Sequence, residues 1–236
     1  MAVDSKYGVQ VRKNLWSEKG LYKFGYNGEV STDEETIWDG GGIYSFPSSA
    51  VSMSVSSDDD TDTSVVTVTG LDENYNEASE TVTLTGQTEV STTTTFIRVY
   101  RAKVDSSEPT GNIYIGEGTV TAGVPATTYA KITAGENQTL MAVWTVPAGY
   151  TAYIIAWSIA SGTAASNKYS ESRLRVRPFG GVFQTKEVLT HQNEYIETIM
   201  HLPTVVTEKS DIMVNAYTSS GTDAISATFS IVYEKN

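Results

Sequence analysis

Two histidines are the residues of this chain best suited to acid–base or metal chemistry, because imidazole titrates near neutral pH and binds transition metals. They are His191 and His201, and each has a carboxylate close by in sequence, Glu194 for the first and Glu197 for the second. Their even separation would place both on one face of an uninterrupted strand. A zinc or base role needs further ligands or a nucleophile, and the chain has no G-x-S-x-G or H-E-x-x-H motif. We therefore interpret them as surface or interface histidines and expect no catalytic residues and no enzyme activity.

The acidic run Asp58-Asp59-Asp60-Thr61-Asp62 could chelate a hard cation, since Ca2+ takes several oxygen ligands from one flexible loop. The run lacks the mid-loop glycine and the distal glutamate of an EF-hand. A solvated loop tip is the simpler interpretation. The chain has no cysteine, which excludes thiolate zinc sites and disulfides. We expect no bound metal and no cofactor.

Residues 1–45 mix basic and aromatic side chains with interrupting glycines and show no helix or strand period. This composition is typical of a loop-rich domain edge, or of an extended arm whose aromatic residues pack on a neighbouring subunit. In the second interpretation, the candidate contact residues are Lys6, Arg12, Trp16, Tyr22, Phe24 and Trp38.

The alternating segment RLRVR is a second candidate contact. As a strand, it would place Arg173, Arg175 and Arg177 on one face, with Leu174 and Val176 on the other. This face is either a solvated strand surface or an ion-paired contact with an acidic partner.

Composition limits the classes of partner. The chain has 236 residues and a formal net charge of −12, which argues against a protein that grips duplex DNA through its phosphates. No segment approaches the ~18 consecutive apolar residues of a membrane-spanning helix, and the start MAVDSKYGVQ lacks the apolar core of a signal peptide. We expect neither nucleic acid nor membrane as a partner.

The highest apolar density lies in two predicted strands, Thr139–Val146 and Tyr150–Trp157. Pro147-Ala148-Gly149 separates them, because proline cannot donate to a sheet ladder and glycine permits a positive φ. This pattern predicts a hairpin at the core, with Trp144 and Trp157 packed inside it.

About ten to twelve short alternating segments, separated by turn residues, predict an all-β chain. The expected architecture is an antiparallel β-sandwich, jelly-roll-like, with an irregular N-terminal extension. The predicted arm is 1–45 and the predicted sandwich 46–236, with a possible subdivision near 105–112. Pro203 is expected to end the strand that begins at Tyr195.

Several motifs occur in a specific order along most of the chain, from about residue 20 onwards. KFGYNGEV leads to WDGGGIY, and FIRVYR, VPAGYTAYI, RVRPFGGVF and EKSDIMVNAY follow. This order resembles a structural protein of marine and cyanobacterial tailed phages. The resemblance implies a virion component without catalytic residues.

The first reading of that resemblance is a capsid decoration (cement) protein that binds and stabilises the major-capsid lattice. It would assemble in the host cytoplasm, with the major capsid protein and further copies of itself as partners. By analogy with capsid three-fold sites, a homotrimer is favoured. The alternatives are a tail or neck adaptor, a fibre-associated receptor-binding domain, and a carbohydrate-binding module or hydrolase.

Overall fold

A computed structural model describes residues 18–106, 108–162 and 168–236. Within these ranges the chain is all-β and its strands pair antiparallel, as the alternating pattern predicts. The fifteen strands are β1 Lys19–Val30, β2 Glu35–Thr36, β3 Val51–Ser57, β4 Val65–Asp72, β5 Glu77–Thr83, β6 Val90–Ser106, β7 Ile113–Thr121, β8 Val124–Ile132, β9 Val143–Thr145, β10 Tyr150–Ser161, β11 Ser170–Arg177, β12 Gln184–His191, β13 Tyr195–Val206, β14 Asp211–Thr218 and β15 Asp223–Lys235.

The chain divides into two compact units. Unit 1 contains Met1–Ile37 and Ala142–Asn236, and unit 2 contains Trp38–Met141. Unit 1 has two antiparallel sheets. The first sheet has the strand order β1-β15-β10-β13, and the second has the order β12-β11-β14-β2, with β9 also paired to β14.

Strict alternation builds the core of unit 1. Along β15, every second residue from Asp223 to Tyr233 is buried and the residues between them are partly exposed. The largest buried side chains of unit 1 include Trp144, Trp157 and Phe229. The prediction that both tryptophans pack in the core is therefore confirmed.

The predicted central hairpin is wrong, although its turn is in the expected place. β9 pairs with β14 of the second sheet, whereas β10 pairs with β15 and β13 of the first sheet. The segment 147–149 therefore carries the chain from one sheet to the other. A short Pro/Gly segment indicates a change of direction, but strands buried on both sides do not reveal their pairing partner.

β1 corrects the expectation of an irregular segment over residues 19–30. Residues 1–17, which form the first part of the predicted arm, lie outside the described residues. In β1, Gly25 is buried against the neighbouring backbone, and a Cβ there would lie 2.3 Å from the Ala142 nitrogen and 2.4 Å from the Ile37 oxygen. A glycine that looked like an interruption is thus a point of close backbone approach.

β13 continues through Pro203, contrary to the expected strand end. It is the edge strand of the first sheet, and its register against β10 shifts between Ile199 and Thr204. Proline is tolerated at such a position because a bulge on an edge strand does not need its missing N–H.

Unit 2 is one six-stranded antiparallel sheet with the order β5-β4-β6-β3-β7-β8. The long strand β6 pairs with β3 near its start and with β4 along the remainder. β6 also approaches β8, to which it is not paired, so the sheet curls around a core that includes Leu71, Phe96 and Ile113. The subdivision considered near 105–112 falls at the end of β6, and β6 and β7 belong to the same sheet.

Candidate functional site on the outer face of the first sheet

The three arginines of β11 lie on one face, as predicted, and each is engaged within unit 1. Arg177 donates to Oδ2 of Asp211 from Nε (2.9 Å) and Nη2 (2.5 Å), and Arg175 donates to Glu34 over 3.0 Å. Arg173 donates to Glu171 from Nε (3.0 Å) and Nη2 (2.6 Å).

These pairs change the interpretation of the arginine stripe. Asp211 is 2% exposed and also accepts a hydrogen bond of 2.6 Å from the hydroxyl of Thr145 on β9. Arg177 therefore balances a buried carboxylate, which links β11, β14 and β9. An acidic partner would have to compete with these internal carboxylates for the arginines.

The other candidate contacts fall into three groups. Lys6, Arg12 and Trp16 lie outside the described residues. Trp38 is 5% exposed, and its indole donates to the Gly42 carbonyl within unit 2, so it is a packing residue rather than a partner contact. The remaining two, Tyr22 and Phe24, point to solvent from β1.

The two histidines do not form a site together. They lie on separate strands, β12 and β13, because the turn 192–194 interrupts the sequence that would have placed them on one face. His201 is exposed, but His191 is 2% exposed, which corrects its interpretation as a surface residue. Its Nε2 lies 2.8 Å from the hydroxyl of Ser172, and a hydroxyl that is itself fully buried cannot reach a substrate.

The acidic run is a folded turn with internal partners. Asp58 accepts hydrogen bonds from the backbone and side-chain nitrogens of Asn112, and Asp62 accepts from the backbone and hydroxyl of Ser64. Across the described ranges, no group of three or more His, Asp or Glu side chains is arranged to hold a metal ion. Within the same ranges, no helix has the length and apolar character needed to span a bilayer.

The first sheet presents a different kind of surface. On its solvent side, the strand registers align side chains in four rows across β1, β15, β10 and β13, and we call these rows the outer face. The rows are Gly20–Val232–Tyr153–Val205, Tyr22–Ser230–Ala156–Ile199, Phe24–Thr228–Ser158–Glu197 and Tyr26–Ser226–Ala160–Tyr195.

Bulky side chains stand at both edges of the outer face. On β1, Tyr22 is 60% exposed, and Phe24 and Tyr26 are also exposed. On β13, Ile199 and Tyr195 are 54% and 63% exposed. In three of the four rows, the two central strands contribute only serine, threonine and alanine. The result is two apolar ridges on either side of a floor of small side chains.

The outer face is nearly uncharged. Of the residues in its four rows, only Glu197 carries a charge, in a chain whose net charge is −12. Depletion of charge together with exposed aromatic residues is what distinguishes the centre of a protein–protein interface from ordinary surface. The geometry can therefore bury apolar area against a partner.

Sequence reasoning found only part of this surface. It selected Tyr22 and Phe24 but missed the contribution of β13, whose exposed residues become part of the face through pairing with β10. A signal for β1 was present, because Tyr22, Phe24 and Tyr26 recur at every second position, as on one face of a strand.

No protein-family model matches the chain, and no curated protein matches it. Among solved structures, it matches the PBSX exported protein XepA with 12% identity and a TM-score of 0.21, over 89% of this chain and 86% of that one. It matches the VP2 subviral particle of infectious bursal disease virus with 11% identity and a TM-score of 0.21, over 92% and 76% of the respective chains. At this level, the similarities carry no argument about fold or function.

Proposed function

We propose that the chain is a structural protein of a tailed-phage virion and that it acts as a capsid decoration protein. Two lines support this. The order of its motifs resembles a phage structural protein, and the outer face of the first sheet offers a broad, nearly uncharged surface with apolar ridges. The outer face is the observation that carries a binding role, because the arginines and the acidic run already have partners within the chain.

The proposed mechanism is stabilisation by binding. A folded β-domain that contacts adjacent subunits of the major capsid protein stabilises the closed lattice, since opening it must expose the surface buried in those contacts. The role is non-catalytic and uses no cofactor, and neither nucleic acid nor membrane is a partner. Assembly would take place in the host cytoplasm.

Cryo-electron microscopy of the particle tests this proposal. We expect density for the chain on the head, in many copies, in contact with the major capsid protein. Density confined to the tail or neck, in a small number of copies, would reject the decoration role and favour a tail adaptor.

A binding assay with heads that lack the chain provides a second test. Purified chain should bind these heads and raise the temperature at which they open. A truncation intended to remove only the predicted arm must stop before Lys19, because residues 19–25 are part of β1 and its contacts with Ile37 and Ala142.

A further inference from the structure

We propose that the outer face of the first sheet is the contact surface between two copies of this chain, related by a two-fold axis that runs parallel to the strands. The inference does not depend on the virion role, and it assigns the outer face to a second copy of the chain, so this contact and the proposed capsid contact are alternative uses of one surface. It rests on the arrangement of bulky, small and charged side chains on that face, and on the area that the face provides.

The area fits a weak, reversible pair of chains. The four rows run along about seven residues of four strands spaced about 4.8 Å apart, so they cover roughly 450 Å2 on each copy. Two such faces in contact bury about 900 Å2, which is in the range of weak, transient interfaces rather than of stable ones.

Electrostatics favour this face over the rest of the surface for contact with a second copy. Two chains that each carry a net charge of −12 repel one another, and the repulsion is smallest where carboxylates are absent from the contact. The outer face comes close to that condition: Glu197 is the one charged residue of its four rows, and Glu234 borders them, where it accepts a hydrogen bond from Tyr153.

The position of Glu197 selects the direction of the axis. A two-fold axis parallel to the strands places the β1 ridge of one copy over the β13 ridge of the other, so that Tyr22 faces Ile199 and Phe24 faces Glu197. An axis in the sheet plane but perpendicular to the strands would instead place both copies of Glu197 at the same edge of the contact, in adjacent rows. The parallel axis avoids this like-charge proximity and covers apolar residues on both ridges.

This arrangement is a dimer and differs from the trimer favoured by analogy with capsid three-fold sites. An isologous contact uses the same patch on both subunits, and a face with one ridge at each edge suits that symmetry. The floor carries hydroxyl groups, such as those of Ser158 and Thr228, which lie 2.7 Å apart within one chain. Across the axis, Ser158 of one copy would face Thr228 of the other.

Sedimentation velocity of the full chain over a wide concentration range tests the inference. We expect a reversible dimer, and Phe24→Ser should raise its Kd about tenfold or more, because Phe24 is the central aromatic residue of the β1 ridge, which the contact would bury. Phe179→Ser is the matched control, since Phe179 is 62% exposed in the turn after β11 and is outside the outer face. This control should leave the Kd unchanged.

Glu197 provides a test in the opposite direction. Glu197→Gln should lower the dimer Kd severalfold, because a buried carboxylate without a partner opposes association. Glu73→Gln, at an exposed position of unit 2, changes the net charge equally and should have a much smaller effect.

Cross-linking reports the axis directly, since the natural chain has no cysteine. A mixture of Tyr22→Cys chains and Ile199→Cys chains should be joined by a short bifunctional maleimide, whereas Tyr22→Cys chains alone should not. A chain that stays monomeric, or an oligomer insensitive to Phe24→Ser, overturns the inference. So does a dimer that forms only after residues 2–17 are deleted, since that segment would then be the occupant of the face.

Discussion

The indole N–H of Trp157, on β10 of the first sheet, donates a 2.6 Å hydrogen bond to Glu187, on β12 of the second sheet. Trp157 is 1% exposed, so this bond satisfies a buried donor and also links the two sheets of unit 1 at their β12–β13 side. β12 is an edge strand of the second sheet, and β10 is the neighbour of β13, an edge strand of the first sheet.

Removing the acceptor should destabilise unit 1. We expect Glu187→Ala to lower the free energy of unfolding by about 1–3 kcal/mol, because the buried indole N–H loses its partner. Glu187→Gln keeps an acceptor oxygen and should cost less than about 1 kcal/mol. Urea unfolding followed by tryptophan fluorescence measures both. Equal losses for the two variants would show that the carboxylate's charge, rather than the hydrogen bond, is what matters.

Two glycines of β1 should respond very differently to alanine. Gly25→Ala places a methyl group 2.3 Å from a backbone nitrogen that has little freedom to move, so we expect a loss of about 3 kcal/mol or more, or displacement of β1. At Gly28 the nearest atom is 3.4 Å away, in the side chain of Tyr26, and Gly28→Ala should change stability by less than about 1 kcal/mol. Thermal unfolding distinguishes the two. Similar melting temperatures for both variants would contradict the close packing of β1 on Ala142.

The arginine pairs of β11 should differ in strength. Asp211→Ala removes a buried carboxylate bound by both Arg177 and Thr145, and we expect a loss of about 2–4 kcal/mol. Glu171→Ala removes the partner of Arg173 at a more solvated position and should cost about 1 kcal/mol or less. Chemical denaturation of both variants gives the comparison. If Glu171→Ala is the more damaging, the order of burial does not determine the strength of these pairs.

The sequence predicts the fold class here because alternation is a local property. β11 has the predicted alternation, with Leu174 and Val176 buried and the three arginines partly exposed. Strand pairing is not local, and for that reason β9 and β10 read as a hairpin although they belong to different sheets. β1 was missed because the glycine that allows its close packing looks, in sequence, like a break.

The candidate site shows the same limit. Tyr22 and Phe24 were selectable from their type and spacing, but their relation to Ile199 exists only through β15 and β10. Trp38 was selected for its type and proved to be buried, because no local pattern distinguishes an exposed aromatic residue of a loop from one that packs beneath it.

Unit 2 should become less stable as the pH rises from about 4 towards 7. Burial raises the pKa of Asp39 from 3.8 to about 7, although hydrogen bonds from the backbone, including Leu140, and the nearby Lys131 favour its charged form. The folded chain therefore holds a proton that the unfolded chain has released, and stability falls by about 1.4 kcal/mol per pH unit in that window.

Asp39→Asn isolates that contribution. The variant should show a flatter dependence on pH and should be more stable than the natural chain above pH 7. Asp33→Asn, at an exposed position, is the matched control. Urea unfolding across the window provides the measurement, and an unchanged slope in the Asp39 variant would mean that this carboxyl is solvated in the folded chain.

His191 should make unit 1 less stable in acid. Burial lowers its pKa, and the carboxylates of Asp223 and Glu194 oppose that shift only in part. Below about pH 6.5 the unfolded chain binds a proton that the folded chain resists, so stability present at neutral pH is lost as the pH falls. This slope is opposite in sign to that of Asp39 and overlaps it, so it is best measured in the Asp39→Asn background. In that background, His191→Gln should abolish the loss of stability in acid, and His201→Gln, at an exposed position, should preserve it. If the His201 variant loses the pH dependence and the His191 variant keeps it, His201 is responsible and the prediction is wrong.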